Sequence, residues 1–112
     1  MIQAGTGDTS NGQMSTIALA LDGAGNGLAV WAQWDAGSTF LIKANRYDAT
    51  AGTWGTAATI QSNTVDFSTF PVMAMDRSGN AIAVWVQTDV GTGLGGPMTA
   101  RFDATSKAWG TP

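Results

Sequence analysis

Asp22-Gly-Ala-Gly-Asn26-Gly-Leu-Ala29-Val30-Trp31-Ala-Gln33-Trp34-Asp35 recurs as Asp76-Arg-Ser-Gly-Asn80-Ala-Ile-Ala83-Val84-Trp85-Val-Gln87-Thr88-Asp89, 54 residues further on. Downstream, Arg46-Tyr-Asp-Ala-Thr50 returns as Arg101-Phe-Asp-Ala-Thr105, and Trp54-Gly-Thr56 as Trp109-Gly-Thr111, both at a spacing of 55. The chain is therefore two copies of one unit, which places a first unit at 1–59 and a second at 60–112. Fixed-period self-similarity marks repeat architectures, in which one supersecondary unit is stacked on the next.

Within each copy the hydrophobic period is two. Leu19 and Leu21 alternate with Ala18 and Ala20, and Met73 and Met75 with Val72 and Ala74. Alternation of this kind predicts strands, here ending at Asp22 and Asp76. The tetrads Gly23–Asn26 and Arg77–Asn80 are turn chemistry, because Gly and Asn tolerate positive φ and the preceding Asp can accept backbone N–H bonds. Second strands follow over about 27–34 and 81–88, and third strands over about 39–48 and 97–103. A fourth carries the Trp-Gly pair. A Thr- and Gly-rich chain without Glu has poor helix propensity. The expected fold class is all-β.

Four short antiparallel strands per repeat with a Trp at a fixed place fit β-propeller blades. The residues D-x-x-G-N-x-x-A-V-W-x-Q-x-D, R-[YF]-D-A-T and W-G-T resemble a tandem repeat of bacterial surface and secreted proteins, loosely akin to Asp-box repeats. The resemblance covers nearly the whole chain. It implies a propeller fold and an extracellular or cell-surface parent protein, and it brings no activity with it. The opening residues Met1-Ile-Gln-Ala-Gly5 show no signal-peptide pattern.

Two blades cannot close a ring of about 4–8. The expectation is a homo-oligomer: three chains for six blades, or four for eight. Ile60-Gln61 opens the second unit as Ile2-Gln3 opens the first, and the second unit runs to Trp109-Gly-Thr-Pro112. Met1–Gln3 of one chain is thus expected to complete the last strand of its neighbour. Repeat-matched Trp31, Trp54, Trp85 and Trp109 are expected as packing between blades.

Composition narrows function by exclusion. The 112 residues contain no Cys and no His, all eight acids are Asp, and the net charge is −3. Disulfide scaffolds, Cys/His zinc sites and His- or Cys-based triads are excluded. Five scattered bases give no nucleic-acid footprint. No apolar run approaches the ~20 residues of a spanning helix. Gly91–Pro97 lacks the Lys-Ser/Thr of a phosphate loop. One carboxylate per turn at Asp22 and Asp76 points to capping rather than to Ca²⁺, so no metal or cofactor is expected. A sialidase-type hydrolase needs an Arg cluster, a Tyr nucleophile and a partner Glu; the only Tyr is Tyr47, in a repeat position.

Two non-catalytic readings lead, and a glycan-acting hydrolase is kept last, since the chain has no Glu or His. The first is a non-catalytic, self-assembling scaffold or interaction module. The second is a multivalent lectin, whose sites would use Trp34, Asp35, Gln33, Gln87 and Asp89. Trp34 breaks the repeat, its counterpart being Thr88, and could stack on a sugar ring. The Asp and Gln side chains would hydrogen-bond hydroxyls. Against this stands local packing for Trp34, and pairing of Arg46 with Asp48 and of Arg101 with Asp103, which are i, i+2 on one strand face.

Overall fold

A computed structural model describes residues 14–35, 39–61 and 66–112; the side chains of 14–16, 35 and 39 fall outside that description. The described residues form nine strands and no helix. The first sheet holds β1 (Met14–Leu21), β2 (Gly27–Asp35), β3 (Thr39–Asp48) and β4 (Thr53–Trp54) in that order, with β5 (Ala58–Thr59) also on β3. The second holds β6 (Phe67–Met75), β7 (Ala81–Thr88), β8 (Gly95–Asp103) and β9 (Ala108–Trp109) in order. Every pairing is antiparallel. Strand bounds follow the sequence reading closely, since period-two alternation and Gly-Asn turns act locally. The repeat extends to irregularities: β1 shifts register between Met14 and Ile17, and β6 between Thr69 and Val72.

The fourth strand of the first sheet is longer than its Trp-Gly motif indicates. After β4 the chain bends at Gly55, then rejoins β3 as β5, with Lys43 opposite Thr59 and Ala44 opposite Ala58. Ile60 N then donates to Ile42 O at 2.9 Å. The last residues assigned to the first unit thus belong to the first sheet by hydrogen bonding, and Ile60 continues along it.

The sheets meet face to face. Val30, Ala32, Ile42 and Ala44 of the first sheet pack with Ala83, Trp85 and Ala100 of the second, and Ile60 joins them. Beside this core Leu28 meets Ala81 and Phe102, flanked by Met73, Met75 and Trp109. Even-numbered positions of β2 therefore contact odd-numbered positions of β7. The two copies of one strand are used by opposite faces.

Candidate interaction face

The D-x-x-G-N turns come first, because they fix the rim where the sheets touch. Asp22 Oδ1 accepts from Ala24 N (2.8 Å) and Asn26 N (2.9 Å), and Oδ2 from Asn26 Nδ2 (3.1 Å). Asn26 Oδ1 in turn accepts from Ala49 N at 2.9 Å, tying this turn to the one after β3. Asp76 and Asn80 repeat the pattern, and Ala104 N donates to Asn80 Oδ1 at 2.9 Å. These are turn caps. The side-chain bond from Asn26 holds the Asp22 carboxyl below its ordinary value, and that from Asn80 does the same for Asp76. Gly23 N donates to Arg77 O at 3.0 Å, so the two turns are bonded to each other.

Between these turns runs a polar groove lined by Asp22, Arg46, Asp48, Ser78 and Lys107 among others. Backbone bonds from Ala51 and Thr50 depress the Asp48 pKa, with Arg46 and Lys107 adding to the effect. Arg46 thus acts on Asp48 electrostatically, as its i, i+2 spacing indicates, and a lysine of the second unit joins it. Among the described residues no three acids gather as a metal ion requires.

The five residues read as sugar contacts lie in unlike places. Gln33 is 0% exposed, and its Oε1 accepts the Trp31 indole N–H at 2.8 Å. Gln87 is also buried; its Oε1 accepts from Trp85 Nε1 (3.2 Å) and its Nε2 donates to Asp66 Oδ2 (3.0 Å). Trp34 is half-buried, edge-on to Phe40 at 5.2 Å, and Phe40 is edge-on to Phe67 of the second sheet at 5.3 Å. Asp89 is exposed and caps its own loop through Gly91 N (2.7 Å) and Thr92 N (3.1 Å). Asp35 ends β2, with its side chain outside the described residues.

Gln61, read from sequence only as the start of the second unit, and Asp66, not singled out, join the sheets. Ile42 N donates to Gln61 Oε1 at 2.7 Å, and Gln61 Nε2 to Asp66 O at 3.2 Å. With Gln87 and Trp85 this makes a continuous chain of bonds from β3 to β7. The usable signal was the spacing of Trp85 and Gln87: i, i+2 on a strand puts the amide on the buried face of the Trp.

Both sheets carry exposed apolar side chains on their outward faces. On the second sheet Val72 is 61% and Ile82 46% exposed, with Val86 beside them, all on the face turned away from the first sheet. Ile82, Ala74, Met75 and Arg101 line a recess there of about 250 Å³. On the first sheet's outward face Ile17, Leu19 and Leu21 are exposed along β1. Their counterparts in the second sheet at the same spacing, Pro71, Met73 and Met75, are wholly or partly buried. Comparison with known protein families and with curated proteins finds no match to this chain.

Proposed function

We propose that this chain is a non-catalytic, self-assembling scaffold, in which each sheet is a propeller blade and copies join head to tail into a closed ring. One observation carries the reading. The face of β7 bearing Ile82 and Val86 is exposed, while the same face of β2, bearing Leu28, Val30 and Ala32, is sealed by the second sheet. A further copy supplies the missing cover. Its Leu19 and Leu21 stand where Met73 and Met75 stand against Leu28. Covering half-exposed side chains of this size contributes about 1 kcal/mol each. Exposed apolar side chains gathered on one sheet face are a common feature of interaction surfaces in soluble proteins.

The contact is heterologous, since unlike faces meet, and such contacts close when the rotation per subunit divides the circle. Two blades per chain make a trimer of six or a tetramer of eight. Light scattering should give three or four times 11.5 kDa; a stable 11.5 kDa particle overturns the assembly. Ile82→Lys should dissociate it without unfolding the chain, and Leu21→Lys likewise from the other face. Mixing the two variants should restore a dimer, because each keeps one working face.

The alternative is a ring that binds glycans, and Trp34 favours it. Among the described side chains proposed for that role, Trp34 is neither buried nor occupied in capping a turn. Binding on a glycan array that disappears with Trp34→Ala would support it, and no binding by the unaltered ring would end it.

A further inference from the structure

The polar groove where the two turns meet carries groups that the fold itself does not use. It measures about 470 Å³, room enough for one sugar ring, and both sheets line it. Arg46 lies opposite Leu28, on the face of β3 that meets the second sheet, and Lys107 comes from the turn between β8 and β9. Among the described residues neither cation is held by a hydrogen bond or an ion pair. Asp22 and Asn26 are spent on their own turn and on Ala49. Asp48 spends only Oδ1, on Thr50 N and Ala51 N. Lys107 also holds a backbone conformation that its side chain disfavours. Its φ is 57°, and Gly52 holds the same place in the first unit at 71°. Gly52 N donates to Asp48 O at 2.8 Å and Lys107 N to Asp103 O at 2.7 Å, so the turn is the same. Glycine makes it with no Cβ penalty, and residues held in such regions cluster at ligand clamps.

We propose that this groove binds a small hydroxylated carboxylate, of which a sugar acid is the simplest, with Arg46 and Lys107 on the carboxylate and Asp48, Thr50 and Ser78 on the hydroxyls. The charges of the lining decide the class. Arg46 and Lys107 are matched by Asp22 and Asp48. A monoanion finds two cations there, whereas a phosphate dianion is repelled twice as strongly by the two carboxylates. Backbone bonds from Ala51 and Thr50 keep Asp48 ionised, so it can only accept, as a hydroxyl partner requires. The site lies within one chain and needs no ring, so it stands apart from the assembly proposed above. It also lies away from Trp34, which stands at the opposite end of β2. The groove is built once per chain. Its repeat beside the second sheet holds Asn80, Arg101 and Asp103. The first unit has Ala24 and Gly52 where the second has Ser78 and Lys107, so a copy joined there would bring no second lysine.

Amide chemical shifts of the isotope-labelled chain, followed at low salt as D-glucuronate is added, test this. Thr50, Ser78 and Lys107 should shift and saturate, while D-glucose at the same concentrations gives no response. Inorganic phosphate should bind more weakly than glucuronate. No saturable shift in the groove overturns the site. An equal response to glucose, or tighter binding of phosphate, overturns the ligand class. Two variants then ask what Lys107 does. Lys107→Asn removes the charge but keeps a side chain that tolerates positive φ, and Lys107→Gly restores the residue of the first unit. Both should weaken glucuronate binding about tenfold. Lys107→Gly should at the same time raise the melting temperature by a few degrees, as the strain is relieved. Unchanged affinity in either variant overturns the assignment of Lys107, and a lower melting temperature in Lys107→Gly overturns the strain.

Discussion

At Leu28 and Ile82 the two units hold the same position of the same strand, yet the first is 1% and the second 46% exposed. β2 is buried on both faces from Gly27 to Gln33, while β7 alternates between buried and exposed. The face of β2 that carries Leu28 is covered by the second sheet, whereas the same face of β7 is left exposed at Ile82 and Val86. A repeat of this kind encodes a surface twice, and whether that surface is core or exterior depends on how many units follow.

The sharpest way to break this comparison is to truncate the paired positions. Leu28→Ala should destabilise the chain by about 2–5 kcal/mol in denaturant unfolding. Ile82→Ala should cost under about 1 kcal/mol in the dissociated chain and should weaken assembly. Equal costs at both sites in a dissociated chain would mean that β7 is covered by some other means. Next in size come the turn glycines. Gly25 and Gly79 both have positive φ, at 88° and 92°. A Cβ at residue 25 would meet only the Ala49 Cβ at 3.6 Å; one at residue 79 would meet Asp22 Oδ2 at 3.0 Å and the Ala104 Cβ at 3.3 Å. Gly25→Ala should therefore cost about 1 kcal/mol, the backbone strain alone, and Gly79→Ala about 2 kcal/mol or more. Thermal melts of the two variants would decide it.

The smallest effect is on acid stability, where the units should agree. Asp22, Asp48 and Asp76 are all held below their ordinary value of 3.8 by hydrogen bonds in the folded state. A carboxyl lowered on folding contributes stability that is complete above the unfolded value and is lost as pH falls through the folded one. Stability should thus stay level in the mildly acidic range, where no His or Glu is present to titrate, and fall below about pH 4. Asp22→Asn and Asp76→Asn should each reduce the acid loss by similar small amounts in pH-dependent unfolding.

Much of this fold is legible from residues alone, because its signals are local. Alternation at Leu19–Leu21 and Met73–Met75, and the Asp-to-Asn turns, set strands and hairpins without reference to distant contacts. The sugar-site residues show where local reading stops. Gln33 and Gln87 look like surface groups near strand ends, but each shares a strand face with a buried Trp two residues back, and tertiary packing takes both inside. β5 carries only Ala58-Thr59, with no motif of its own, and it is defined by the edge it joins. The clasp at Gln61 and Asp66 depends on contacts across two sheets, which neither period nor composition reports.

The bond from Gly23 to Arg77 gives the pair of sheets a spine. It lies at the turn where β2 begins, and the Gln61–Asp66–Gln87 chain of bonds ties the sheets again toward the other end of that strand. At that far end stand Trp34, Phe40 and Phe67, edge to edge. Phe40 and Phe67 meet across the two sheets, so their rings enter the spacing between them. If copies join into a ring as proposed, the angle between the two sheets would set the number of subunits, and the packing of these three rings is one contribution to that angle.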